Sequence, residues 1–197
     1  MMSDTPFSAL LLAGGRSVRM GQDKALLEWA GKPLWQVQLA KLRVNRPERL
    51  LIACREEQGL QSGAESGVEW LFDPPGSDCG PMGPIIEALK RVQMPLLVLA
   101  VDMPQMTSTF LNEVIHGLAD TSLFFSLGQG SEPLVGVYTP SLLPLLGEAM
   151  NKQQYSLRRV IEQGRDQGLA IILPLAQVDA VLFANANTPA EWQQTGK

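Results

Sequence analysis

Three glycines and three cations fall within the eleven residues Gly14-Gly15-Arg16-Ser17-Val18-Arg19-Met20-Gly21-Gln22-Asp23-Lys24, directly after the apolar run at 9–13. Glycine lets backbone N–H groups approach an anion closely, and Arg and Lys neutralise what the amides leave uncompensated, so this segment suits a polyphosphate. Its spacing matches neither the Walker A loop nor the GxGxxG dinucleotide fingerprint. A second chemical group is Asp102, placed between the aliphatic run at 96–101 and Met103-Pro104. A carboxylate in that position can hold Mg2+, which keeps several waters and takes further ligands from phosphates. Asp73 likewise closes the run at 68–72 and opens a stretch rich in proline and glycine. It can accept hydrogen bonds from a ligand, or do no more than start a turn.

The elements that must carry these groups follow from the rhythm of the chain. Short aliphatic runs at 9–13, 50–53, 68–72, 96–101, 123–126 and 134–138 alternate with helix-length segments at 33–42, 84–92, 107–119, 140–150 and 157–163. Most of those segments open on Pro, Ser or Thr, residues suited to a helix start. Apolar runs without an in/out polar alternation belong to strands covered on both faces. The expected fold is therefore α/β, a three-layer α/β/α sandwich around a mostly parallel twisted sheet, formed as one domain over 1–197. The clusters at 74–83 and 128–133 read as long loops, and in open α/β sheets such loops at strand C-termini form the ligand crevice.

Composition removes several function classes. A formal charge of −4 and a pI near 5.1 argue against a general nucleic-acid binder, because phosphate backbones select a strongly basic face. The longest aliphatic run, 96–101, falls far short of the roughly 18–20 residues that cross a membrane, and the first residues lack the charged start of a signal peptide. A cytoplasmic protein without a membrane partner is expected. Cys54 and Cys79 have neither CxxC spacing nor a neighbouring His, which argues against a disulfide framework or zinc site. His116 is the sole histidine. The apolar stripe Phe110, Leu111, Val114, Ile115 and Leu118 leaves it on the solvated side of its helix, away from any triad role.

Leu12-Ala13-Gly14-Gly15, Arg19-Met20-Gly21, Asp23-Lys24 and Gly31-Lys32-Pro33-Leu34 together resemble the signature of the molybdenum cofactor guanylyltransferases, MobA-type members of the GT-A-like nucleotidyltransferases. The resemblance implies the nucleotide-diphospho-sugar-transferase-like, Rossmann-type topology of that group. CTP-using relatives usually carry Ala-Ala-Gly where this chain has Ala13-Gly14-Gly15, so guanine is implied over cytosine. It further implies that Leu12, Ala13, Gly14 and Gly15 contact the nucleotide, and that Arg19 and Lys24 serve its phosphates and the displacement. Asp102 then binds Mg2+, with Mn2+ as the alternative, and takes part in catalysis. Asp73 resembles the family's nucleotide-contacting Asp, where a carboxylate accepts from a ribose hydroxyl or a guanine N–H pair. Pro84 stands where the family usually has Gly, a cheap replacement in a first helical turn. The implied substrates are GTP and molybdopterin, with transient contacts to other cofactor-biosynthesis proteins and to apo-molybdoenzymes. The terminal phosphate of molybdopterin would attack the α-phosphorus and release pyrophosphate, a step that needs alignment and charge compensation more than a general base.

Candidates in the second half are weaker. Glu132-Pro133-Leu134-Val135-Gly136-Val137-Tyr138 resembles the family segment leading into a strand on the acceptor side. Arg158 and Arg159 offer two guanidiniums for a phosphorylated acceptor, or an exposed helix face. Phe183, Asn185 and Asn187 alternate as on a strand, which would aim both asparagines one way. Thr188-Pro189-Ala190-Glu191 reads as a capping box. Two alternatives stay open: a cytidylyl- or sugar-phosphate nucleotidyltransferase on the same scaffold, and a non-catalytic carrier of the cofactor.

Overall fold

A computed structural model describes residues 5–15, 23–63, 66–73, 79–117, 120–128 and 130–185. Its seven-stranded sheet is built from β1 (Ser8–Leu12), β4 (Leu50–Cys54), β5 (Glu69–Phe72), β6 (Leu96–Ala100), β7 (Ser122–Leu127), β8 (Gly130–Tyr138) and β9 (Ala170–Pro174), in the order β5-β4-β1-β6-β8-β7-β9. A small antiparallel pair, β2 (Glu28–Trp29) and β3 (Lys32–Pro33), stands apart. Only β8 opposes its neighbours; β5, β4, β1 and β6 run parallel, as do β7 and β9.

The absence of polar alternation in the central strands has a direct physical origin. Ala9 and Leu11 of β1, with Leu97 and Leu99 of β6, pack on one side against α1 (Leu34–Arg43) and α3 (Ser108–His116). Leu10, Leu51, Leu96 and Val98 face the other way, onto α2 (Met82–Val92), α4 (Leu143–Asn151) and α5 (Leu157–Asp166). Both faces are buried, so these strands are apolar at nearly every position, the buried Ser8 that opens β1 being the exception. Thr107 caps α3 by accepting from Phe110 N at 3.1 Å, and Pro84 falls in the first turn of α2, where its missing N–H leaves no intrahelical bond unmade. His116 is exposed at the end of α3, with Nδ1 2.7 Å from the Asn112 carbonyl, as the stripe requires.

Three expectations need correction. Residues 130–133 are not loop: β8 begins at Gly130, which pairs with Leu127, so the hairpin stays closed to its tip. The register slips there, with Phe124 opposite Gly136 and Phe125 opposite Glu132, and Pro133 sits in the slipped stretch, where a strand tolerates a residue without N–H. At Gly136 a Cβ would lie 2.6 Å from the Leu123 carbonyl and 2.8 Å from the Phe124 ring, which only a hydrogen can avoid. Next, β9 is a strand absent from the expected runs although 169–173 is itself an apolar run, and at the sheet edge it leaves Ile171 and Leu173 exposed. Finally, the strand expected through Phe183 and Asn185 is replaced by a 3-10 stretch, Gln177–Phe183. Burial of the Phe183 ring against Phe110 and Phe125 directs the chain here, at centroid distances of 5.4 and 5.9 Å.

Candidate active site

The C-terminal ends of β1, β4, β5 and β6 lie side by side, and the candidate groups follow from them. Val101 N donates to the Leu12 carbonyl, Ala13 N to the Ala53 carbonyl and Asp73 N to the Cys54 carbonyl, so the four strands continue their hydrogen bonding into the loops. This registers Ala13, Asp73 and Asp102 along one edge of the sheet. Leu12 is half-buried, and Ala13 is buried.

Gly14 is where two loops meet. A side chain there would run into the Asp73 carboxylate, so with any other residue at 14 the carboxylate would have to move from its place. Burial pushes the Asp73 carboxyl above its usual range; Arg55 draws it back and Glu57 adds to the rise. Nothing crowds Gly15. Cys54, beneath this contact, has its thiol pushed up to about 12 by burial and then by the Asp73 charge, with Arg55 opposing. It is an inert core thiol.

Lys24 and Asp102 come together across the crevice, with Nζ 3.1 Å from Oδ2. Their side chains keep only 15% and 22% of their exposure, so water screens the pair weakly. Asp23 fixes the origin of Lys24, since its Oδ1 accepts from Ala25 N at 3.0 Å and caps the short 3-10 turn Lys24–Leu26. The Asp102 turn is held from below by α1. Gln38, fully buried, donates to the Met103 carbonyl at 2.7 Å and the Val101 carbonyl at 3.4 Å, while Lys41 donates to the Pro104 carbonyl at 2.8 Å. Burial lowers the Lys41 ammonium to about 8.

Beyond Asp102 the site continues onto β8. Leu99 pairs with Val135 as the last β6–β8 partners, and Glu132, further along β8, lies near enough to Asp102 for the two carboxyl groups to interact through charge. Burial pushes the Glu132 carboxyl upward; the Leu134 amide and Arg158 oppose this, and Asp102 reinforces it. Arg158 lies over Gly130, its Nη1 3.4 Å from where a Cβ would stand. Arg158 therefore reaches the β8 end of the crevice, while Arg159, also exposed, projects about 100° further round α5. Asn185 is exposed and follows the 3-10 stretch. Arg19, Asn187 and the 188–191 capping box lie outside the described residues.

Sequence reasoning did not single out Arg55, Gln58, Gln38 or Glu132 as parts of this site. No local spacing marks the first three, whose partners are tens of residues away. Glu132 had a signal in the Glu132-Pro133 segment, but only the folded chain brings it near Asp102.

As a hard oxygen donor facing a cation in a shielded crevice, Asp102 has the chemistry for Mg2+. Among the described residues no cluster of three His, Cys, Asp or Glu side chains stands ready to hold a metal alone. A divalent ion here would therefore rely on water and ligand oxygens, the habit of Mg2+ with phosphates.

Comparison with known proteins bears on this geometry. Residues 9–168 match the MobA-like NTP transferase domain. The chain is 32% identical to a probable molybdenum cofactor guanylyltransferase of Synechococcus elongatus, over 95% of this chain and 96% of that protein. It is 33% identical to the molybdenum cofactor guanylyltransferase of Pseudomonas putida, over 93% and 94% of the two chains. In three dimensions it is similar to molybdopterin-guanine dinucleotide biosynthesis protein A of Archaeoglobus fulgidus, with a TM-score of 0.76, 22% identity and 96% of each chain covered.

Proposed function

Because the chain belongs to the MobA-like NTP transferase family, we propose that it transfers GMP from GTP to the terminal phosphate of molybdopterin, forming molybdopterin guanine dinucleotide and releasing pyrophosphate. The observation that carries the reading is the Lys24–Asp102 pair, a cation and a carboxylate brought to one crevice from loops 78 residues apart. In the reaction an acceptor phosphate oxygen forms a bond to the α-phosphorus as the bond to the pyrophosphate oxygen breaks. Both partners are anionic, so the barrier is dominated by charge and alignment.

The residues divide that work. Ala13, Gly14 and Gly15 bring backbone to the phosphates, and Asp73, abutting Gly14, accepts from the nucleoside. Lys24 offsets charge on the triphosphate, as does Arg19 on the strength of the family signature. Asp102 would hold Mg2+, or Mn2+ in its place, together with phosphate oxygens and water. When bound, that ion supplies Lewis-acid compensation of phosphate charge. Arg158 faces the acceptor phosphate, two of whose oxygens can accept the parallel N–H bonds of a planar guanidinium. The reading places the enzyme in the cytoplasm, where Cys54 and Cys79 remain free thiols, in transient contact with other cofactor-biosynthesis proteins and apo-molybdoenzymes.

The test is nucleotide binding and pyrophosphate release with Mg2+ and molybdopterin, run in parallel with GTP, CTP, ATP and UTP. Turnover with GTP at least about tenfold above the others is expected, a margin of about 1.4 kcal/mol. Turnover with CTP and none with GTP would assign the chain to the cytidylyl side of the scaffold. Cofactor affinity without pyrophosphate release would make it a carrier.

A further inference from the structure

Ala13, Gly14 and Gly15 on one side and Asp23 on the other are gripped by side chains from one short stretch, the residues that follow β4. Arg55 Nη1 donates to the Gly14 carbonyl at 2.5 Å and the Gly15 carbonyl at 2.9 Å, while its Nη2 donates to Asp23 Oδ2 at 2.8 Å. Gln58 Nε2 donates to the Ala13 carbonyl at 2.9 Å and to the same Asp23 oxygen at 2.8 Å. The two grips are coupled, since Gln58 Oε1 accepts from Arg55 N at 2.7 Å.

We propose that Arg55 and Gln58 are positioning residues for the triphosphate: they form a clamp that ties Ala13, Gly14 and Gly15 to Asp23 before the nucleotide arrives and turns the Gly14 and Gly15 amides toward the phosphates. This rests on the GTP reading above. In a trans peptide the C=O and N–H point in opposite directions. With the Ala13 and Gly14 carbonyls drawn toward the clamp, the N–H groups of Gly14 and Gly15 must face away from it. Carbonyl oxygens that would repel a phosphate are sequestered, and successive amides are left as an anion-binding concavity. At the far end the clamp holds Asp23, whose other oxygen caps the turn that carries Lys24. One guanidinium thus sets both the amide cradle and the lysine.

The hydrogen bonds also define what Arg55 does not do. Its guanidinium bonds two carbonyls, Asp23 and, through Nε, Glu57 at 3.0 Å, so four of its five N–H groups go to the protein. It acts through the loop. Joining the loop ends in advance lowers the ordering penalty on binding, which is preorganisation. A lysine ammonium lacks the planar fork that spans two carbonyls and a carboxylate.

The test compares binding of GTP, inorganic tripolyphosphate and guanosine, with Mg2+, by the wild-type chain and by Arg55→Lys, the milder Gln58→Leu, Asp23→Asn and the Arg55→Lys/Asp23→Asn pair. Arg55→Lys is expected to weaken GTP and tripolyphosphate about tenfold while guanosine stays within about twofold, with Gln58→Leu losing about threefold on the same two ligands. KM for GTP should rise in step, with kcat changed less, and the double variant should bind little worse than Arg55→Lys because both changes break one bridge. Tripolyphosphate affinity at the wild-type level in both Arg55→Lys and Gln58→Leu would overturn the clamp. Equal losses for guanosine and tripolyphosphate would also overturn it, reducing both residues to general support of the fold. A wild-type chain that binds neither GTP nor tripolyphosphate would instead refute the nucleotide reading, and the clamp with it.

Discussion

The two halves of the crevice are built differently. On the β1–β4 side, Ala13, Gly14, Gly15 and Asp23 are tied by direct hydrogen bonds to Arg55 and Gln58. On the β8 side, Glu132 is flanked by Asp102 and Arg158 through charge, and its resolved hydrogen bond goes no further than the Leu134 amide at 3.1 Å. The first half is organised by the chain itself, while the second presents a half-buried carboxyl and an exposed guanidinium at a strand bulge. On the proposed reading, a donor side tied by hydrogen bonds beside a less tied acceptor side suits an enzyme whose donor is a common nucleotide and whose acceptor is large. Asp102 stands between them, fastened from beneath by Gln38.

Removing what the halves share should have the largest effect. Asp102→Ala is expected to lower kcat/KM by about a thousandfold or more, since Mg2+ and Lys24 both lose their carboxylate. The thermal transition should barely move, because Asp102 is not fully buried and the turn is held through the backbone carbonyls of Val101 and Met103. Pyrophosphate release and a melting curve read both; normal specific activity in a poorly folded sample would contradict the assignment. Lys24→Ala acts on the donor half and should cost about a hundredfold in kcat/KM for GTP. It also removes the cation that faces Asp102, so affinity for Mn2+ without nucleotide, read by paramagnetic resonance, should increase. Unchanged GTP turnover would show that Lys24 is misassigned.

The same contrast explains what could be seen in the sequence. The βα rhythm is legible because both faces of the central strands are buried, leaving uninterrupted apolar runs at Leu96–Ala100 and its neighbours. Gly14, Lys24 and Asp102 are legible because loop chemistry at strand ends is local. Arg55 is not, because its meaning comes from carbonyls 40 and 41 residues earlier. Glu132 depends on the slipped register between Phe124 and Phe125, which no spacing rule anticipates. The 3-10 stretch before Asn185 escapes for a related reason: an alternating pattern of one phenylalanine and two asparagines carries little information until Phe183 meets Phe110 and Phe125.

Arg158→Ala separates the halves most cleanly at intermediate size. KM for molybdopterin should rise about tenfold, the scale of one charge-assisted contact, with KM for GTP within about twofold. Arg159→Ala, on the adjoining part of α5, serves as the control and should change neither constant. A shift in the GTP constant alone would move Arg158 to the donor side and erase the contrast.

The smallest effect is on stability and concerns the donor half. Burial beside Gly14 raises the Asp73 carboxyl above its usual 3.8, so the folded chain binds a proton there more tightly than the unfolded chain does. Stability then falls as pH climbs from 3.8 through the raised folded value, and above it the charged carboxylate is a constant liability. Asp73→Asn removes that titration, so its melting temperature should exceed that of the wild type near neutral pH and lose the advantage below 3.8. The same change should weaken GTP binding, because an amide presents one acceptor where the carboxylate presents two. A variant more stable and less active marks a carboxylate kept for its ligand at the expense of the fold. Melting curves from pH 3 to pH 8, paired with GTP titrations, decide between that role and a mere turn: loss of stability at every pH with GTP affinity intact would make Asp73 structural.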